Sequence, residues 1–121
     1  MTFFEMLGLL IFAHALADYP LQGDFLAKAK DHTRPIPGVP WRCAMAAHCV
    51  IHAGAVGLIT GSMWFAVAEF VLHWIIDWVK CLAPADDTDD ERADSFVTDQ
   101  AMHLACKVGY VLALWAIGGA A

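Results

Sequence analysis

The stretch CAMAAHCVIHAGAVGLITGSMWFAVA, residues 43–68, contains no Asp, Glu, Lys or Arg. It is longer than the roughly 20 residues with which a helix crosses a bilayer once. Its Gly61-Ser62 step is a turn signal. The run therefore predicts one span over about 43–60 and the start of another at about Met63. Working outward, the second of these continues to about Leu82, and two further apolar segments lie at about 3–17 and 96–117. The segment at 3–17 is short for a span, which local bilayer thinning or snorkelling end residues accommodate. The fold expected is an all-α membrane protein: four transmembrane helices in an up-down-up-down bundle, forming a single transmembrane helical domain over residues 1–121.

Composition points the same way. Hydrophobic residues make up 60% of the 121 and mean hydropathy is +0.56, above the balance of a soluble domain. Net charge is −6, with acid concentrated at 86–94; that sign excludes nucleic acid as the main partner. Cys43, Cys49, Cys81 and Cys106 are scattered without a Cys-x-x-Cys motif. They read as small apolar helix residues or free thiols, not as a disulfide framework. The first apolar segment lacks a basic n-region and a small-residue cleavage site, so it reads as a span and not as a leader.

The connections divide by charge. Residues 21–30 suggest a short interfacial helix after the first span, with Leu21, Phe25 and Leu26 turned inward. Residues 33–40 hold Pro35, Pro37, Gly38 and Pro40 and read as an extended loop. The acidic segment 84–95 reads as a solvated connector; it lacks the glycine and spacing of an EF-hand calcium loop. Lys28, Lys30, Arg34 and Arg42 fall in the first connection, and Lys80 and Arg92 at or within the third. By the positive-inside rule both connections face the cytoplasm and both termini lie outside. Lys107 stands apart, inside the fourth segment, where it reads as a counter-ion to a bundle carboxylate. The tryptophans lie mostly near span ends, as interface anchors do.

Eight residues of metal-ligand type form four pairs of one spacing: His14/Asp18, His48/His52, His73/Asp77 and Asp99/His103. An i, i+4 spacing stacks two side chains on one helix face. Ionisable groups inside spans are costly and mark functional sites. In an up-down-up-down bundle all four pairs come to the cytoplasmic ends, so they share a depth as well as a spacing. Histidine with carboxylate suits a divalent metal, zinc foremost, with iron or manganese as alternatives. Eight donors exceed the needs of one ion; they suffice for two, or for one ion with Asp–His hydrogen bonds behind its ligands. A metal-free hydrogen-bonded network is the competing reading. Haem is disfavoured because it leaves the three aspartates unexplained. Asp18 and Asp99 are the candidate general bases, and Lys80 the cation best placed to meet an anionic substrate. Glu69, His73, Asp77 and Lys80 share a stripe, as do Asp99, His103, Cys106 and Tyr110. Gln22 and Gln100 sit at the rim of the site or cap helix ends. His32, in the polar loop, is given no role.

The motifs His-Ala-Leu-Ala-Asp-Tyr-Pro-Leu-Gln (14–22), His-Cys-Val-Ile-His (48–52), His-Trp-Ile-Ile-Asp-Trp-Val-Lys (73–80) and Asp-Gln-Ala-Met-His (99–103) resemble a known family. It comprises small bacterial and phage-borne integral membrane proteins grouped as domain of unknown function 3307. The resemblance covers nearly the whole chain. It implies a multi-span protein of the bacterial inner membrane and supplies no activity. A looser similarity is to membrane-bound metal-dependent hydrolases, which also carry histidine and aspartate at span ends. The function expected is a membrane-embedded metal-dependent hydrolase acting on a lipid-linked substrate or phosphoester from a site near the cytoplasmic interface. The alternative is a non-enzymatic metal- or pH-responsive module that binds a membrane-protein partner. Partners expected are the lipid bilayer, an amphiphilic substrate or a membrane protein, and further copies of the chain.

Overall fold

The computed structural model describes residues 1–83 and 88–118. They form five helices: α1 (Phe3–Asp18), α2 (Gly23–Ala29), α3 (Trp41–Thr60), α4 (Met63–Cys81) and α5 (Asp89–Gly118). No strand occurs among the described residues.

Local chemistry sets the boundaries. Thr2 and Glu5 close a capping box at the start of α1, with Glu5 N donating to Thr2 Oγ1 (3.2 Å) and Thr2 N to Glu5 Oε2 (2.7 Å). α1 ends just before Pro20, and α2 leaves it at 84°. Pro40 precedes α3, where its missing N–H goes unmissed. α3 stops at Gly61, whose φ of 67° is a left-handed conformation that suits glycine. Ser62 then caps α4 through Phe65 N (3.4 Å). A Cβ on Gly57 would lie 3.0 Å from Ala66 Cβ, so this glycine allows α3 and α4 to pack closely.

α1, α3, α4 and α5 pack in a closed ring, each against two neighbours, and α2 lies on α3. The ring has two layers. Near the N-terminus of α1, Leu10, Val56, Tyr110 and Val111 form a small apolar core, with Phe3, Met6, Leu7, Ile59 and Phe65 around it. The opposite end holds a buried polar layer. The outside is apolar: Phe4, Leu58 and Trp64 are over four-fifths exposed, whereas His48 is 0% exposed. Apolar residues outside and ionisable residues inside reverse the arrangement of a soluble domain.

α3 and α5 are each long and apolar enough to cross a membrane; α1 and α2 together make a third if the bent pair is one span. The structure thus has two or up to three candidate spans by length and composition, fewer than the four expected. α1 alone has 16 residues, and α4 carries Glu69, Asp77 and Lys80 within its 19.

Two expectations need correction. The acidic connector does not run to Ser95. Residues 84–87 lie outside the described residues, but α5 begins at Asp89. Thr88 N donates to Glu91 Oε2 (3.0 Å) and Glu91 N to Thr88 Oγ1 (3.1 Å), a second capping box. Asp89, Asp90 and Glu91 in the first turn favour the positive end of the helix dipole. Nor do Leu21 and Phe25 turn inward: they are 52% and 64% exposed, and the buried residue of α2 is Ala29.

Candidate metal centre

The four pairs converge. The His73 ring lies at the middle, with ring centroids of His52 at 3.8 Å, His103 at 4.1 Å, His48 at 4.9 Å and His14 at 6.0 Å. All five histidines are buried, as are Asp77 and Asp99. Each helix of the ring contributes one pair because the i, i+4 stripe of each faces the bundle axis at the same end.

Two aspartates serve as hubs. Asp18 Oδ1 lies 3.0 Å from His52 Nε2 and 3.4 Å from His48 Nε2. Its Oδ2 lies 3.1 Å from His14 Nε2 and accepts from Gln100 Nε2 at 2.9 Å. Asp77 Oδ1 lies 3.0 Å from His103 Nε2. Asp77 Oδ2 accepts from Lys30 Nζ (2.5 Å) and lies 3.4 Å from His48 Nε2 and 3.6 Å from His73 Nε2. Asp99 is nearer the edge. Its Oδ2 accepts from Lys80 Nζ (3.0 Å) and Gln100 Nε2 (3.2 Å), while Oδ1 is buried without a hydrogen-bond partner.

Behind His73 stands a second tier. His73 Nδ1 faces Glu69 Oε1 at 3.1 Å, and Glu69 in turn accepts from Lys107 Nζ and from Tyr110 Oη (2.9 Å). A neutral ring whose Nδ1–H donates to a carboxylate presents a bare Nε2 lone pair. That atom faces His48 Nε2 at 3.1 Å. His48 Nε2 thus has His73 Nε2, Asp18 Oδ1 and Asp77 Oδ2 within 3.4 Å. A ring nitrogen carries at most one hydrogen, so hydrogen bonding satisfies one of these acceptors at a time. His14 Nδ1 and His48 Nδ1 are also buried without partners. The interior is rich in lone pairs and poor in protons, the condition that a cation relieves.

Three groups of donors lie close enough to share an ion: Asp18, His48, His52 and His73; His14, His73 and His103; and Asp77, Asp99 and His103. Together they contain all eight paired residues. They overlap at His73 and His103, so they form one continuous cluster compatible with a divalent metal. The carboxylate behind His73 fits the arrangement by which metal-binding histidines are held.

Other residues fall as follows. Gln100 bridges Asp18, Asp99 and His14, with His14 Nε2 3.2 Å from its Oε1. Gln22 instead donates to the Asp18 carbonyl, capping α1 (3.1 Å). Lys80 is half-exposed beside buried Asp99. Lys107 is the buried counter-ion of Glu69. Cys106 packs against the apolar core and all four cysteines are free. Sequence reasoning missed Lys30, whose ion pair with Asp77 depends on the bend between α1 and α2. It also left Glu69 in a stripe without a task. His32 stacks on Trp78 (4.7 Å, 7° between planes), and with Asp31 and Cys81 it forms a further donor group outside the ring. Burial raises the Asp31 carboxyl, but hydrogen bonds from Thr33 and the charge of Arg34 outweigh it and hold the group below its ordinary range.

A cavity of about 260 Å³ opens on the cluster, lined by Asp18, Lys30, Asp77, Lys80 and Asp99 among others. No curated protein and no solved structure matches the chain. Residues 6–119 match a family described as "Protein of unknown function (DUF3307)", a span that includes every one of the clustered histidines and aspartates. The chain belongs to the DUF3307 family.

Proposed function

We propose that this protein is a membrane-embedded metal-dependent hydrolase whose buried His/Asp cluster works at the cytoplasmic interface. One observation carries the reading. Lone pairs from four helices converge without enough protons to pair them, beside a cavity that reaches three carboxylates. A structural ion is closed in by its ligands, whereas a catalytic one keeps an open position; the cavity favours the second.

In this reading α1, α3, α4 and α5 each cross the membrane, and α2 lies at the interface within the same domain. Support for α4 comes from where its charges point. Glu69 and Asp77 are buried inside the ring, so lipid meets the apolar face of the helix, with Val71, Ile75 and Val79 exposed. Lys80 is the penultimate residue of α4 and snorkels. Lys28, Lys30, Arg34, Arg42, Lys80 and Arg92 lie in or beside the segments that join the ring helices at the cluster's end, and by the positive-inside rule this favours that end in the cytoplasm and both termini outside. A reporter active only in the cytoplasm should be silent when fused after the last residue and active when inserted at Asp89. The reverse pattern would put the site on the outer face.

A bound divalent ion, zinc first and iron or manganese next, would supply Lewis acidity and lower the pKa of its water toward about 7. His48, His52, His73 and Asp18 form one donor set, and His103 with Asp77 the core of the other. Asp99 is the general base, because it lines the cavity and its Oδ1 has no hydrogen-bond partner. Asp18, with both oxygens engaged by histidines and Gln100, acts as a ligand. Lys80 meets the anionic oxygens of the substrate. Purified protein should cleave a phosphoester, lose that turnover on chelation and regain it with zinc or manganese. Asp99→Asn should slow turnover by about 10²–10⁴-fold with metal content unchanged. A metal-loaded protein that turns over neither soluble nor lipid phosphoesters would favour the metal-responsive membrane module instead.

A further inference from the structure

Lys80 lines three cavities at once. The first is the 260 Å³ space beside the cluster. The second, about 500 Å³, is lined by Lys30, Arg34 and Lys80 against Asp31 and Asp77, so its cations outnumber its carboxylates by one. The third, about 240 Å³, lies between α4 and α5 and exposes mostly apolar surface: Ile76, Val79, Ala83 and Met102 line it together with Lys80, Ser95, Thr98 and Asp99. Val79 and Met102 are about half exposed on the outer face of the ring, so this groove opens toward lipid.

We infer that the substrate is a phosphate monoester of a long-chain lipid alcohol, admitted sideways from the bilayer between α4 and α5. The inference rests on the hydrolase reading above and names the substrate class of that site. Its chain lies along Ile76, Val79 and Met102, and its phosphate meets Lys80, Lys30 and the cluster.

Charge complementarity selects the phosphate. Asp18, Asp77 and Asp99 face Lys30 and Lys80, which leaves one net negative charge; a single divalent ion reverses that sign. Lys30 and Lys80 now hold Asp77 and Asp99 oxygens at 2.5 and 3.0 Å. When an ion takes up Asp77 oxygens, the Lys30 ammonium is released toward an incoming anion, and Lys80, half-exposed beside Asp99, already lines the same cavity. Continuity selects the tail. The apolar groove and the basic cavity meet at Lys80, so one molecule with an apolar end and an anionic end fills both. The reaction balances as a hydrolysis. Water forms the new P–O bond and the P–O bond to the lipid alcohol breaks. One proton of water passes to Asp99 and on to the leaving alkoxide, and the other stays on the released phosphate. Phosphate leaves through the basic cavity and the alcohol returns to the bilayer.

Native mass spectrometry of the full chain released from phosphatidylcholine nanodiscs reads metal and lipid on the same molecules. The probes are an uncleavable phosphonate analogue of phosphatidic acid, diacylglycerol as the tail without phosphate, and methylphosphonate as the headgroup without tail. The metal-loaded chain should retain one phosphonate lipid and little of either fragment. Lys80→Met should cut its occupancy at least about 10-fold, as loss of a charge-assisted contact does. Val79→Trp and Met102→Trp should each fill the groove and lower lipid retention while keeping the metal adduct, which shows that the variants are folded. Metal present with equal retention of diacylglycerol, or with methylphosphonate bound as well as the lipid, would overturn the inference while sparing the hydrolase reading. A chain without metal would overturn that reading and this inference with it.

Discussion

His73→Ala should remove metal binding more completely than any other single substitution, lowering affinity by well over about 100-fold. Glu69→Gln, which removes the carboxylate behind His73 but leaves every paired histidine and aspartate in place, should cost about 10–100-fold. His73 belongs to two of the three donor groups, and its ring is central among the other four. The Nε2 atoms of the remaining histidines already engage Asp18 or Asp77, so none of them is free to take its place. His52→Ala should also fall steeply, since it removes a donor from the four-membered group. Competition against a chromophoric chelator measures all three variants. The ordering matters more than the size: an affinity for His73→Ala equal to that of Glu69→Gln would place His73 outside the coordination sphere.

The second large effect is on stability. Lys107 is 1% exposed and Glu69 is 1% exposed, and they form an ion pair inside the ring with Tyr110 as a further donor. Lys107→Met leaves a buried carboxylate uncompensated, which should destabilise the fold by about 3–5 kcal/mol. Adding Glu69→Gln removes the orphaned charge and should restore much of the loss, because the pair itself offsets little more than its own desolvation. Thermal unfolding in detergent of the two single variants and the double variant forms the cycle. A double variant no more stable than Lys107→Met would mean that Lys107 acts through packing and not through charge.

These effects trace to features that were unequally legible in the sequence. The eight clustered residues could be found because i, i+4 spacing is a property of the helix itself, and alternation of short-looped helices brings matching ends together. Glu69 was visible as a member of the His73 stripe, but its partners Lys107 and Tyr110 come from α5, and no local pattern on α4 encodes them. Lys30 was hidden more deeply. It stands in a basic connection, where its charge reads as a topology signal, and only the 84° bend after α1 returns it to Asp77. The start of α5 was missed for a different reason. Hydropathy marks where a helix becomes apolar, not where it begins, and the capping pattern of Thr88 and Glu91 lay seven residues or so upstream of the apolar boundary at about Phe96. The inward placing of Leu21 and Phe25 followed from their being apolar; beside a bilayer the exposure of apolar side chains carries no penalty, so apolarity alone does not turn them inward.

The central claim is that these lone pairs hold a metal, and elemental analysis of the detergent-purified wild type tests it most directly. The account predicts one or two equivalents of a zinc-class divalent ion per chain, removed by chelator and absent from His73→Ala. A folded wild type with no bound metal, whose His52→Ala and His73→Ala variants only melt slightly earlier by a contact of about 0.6–2 kcal/mol, would contradict it and leave a hydrogen-bonded network in its place.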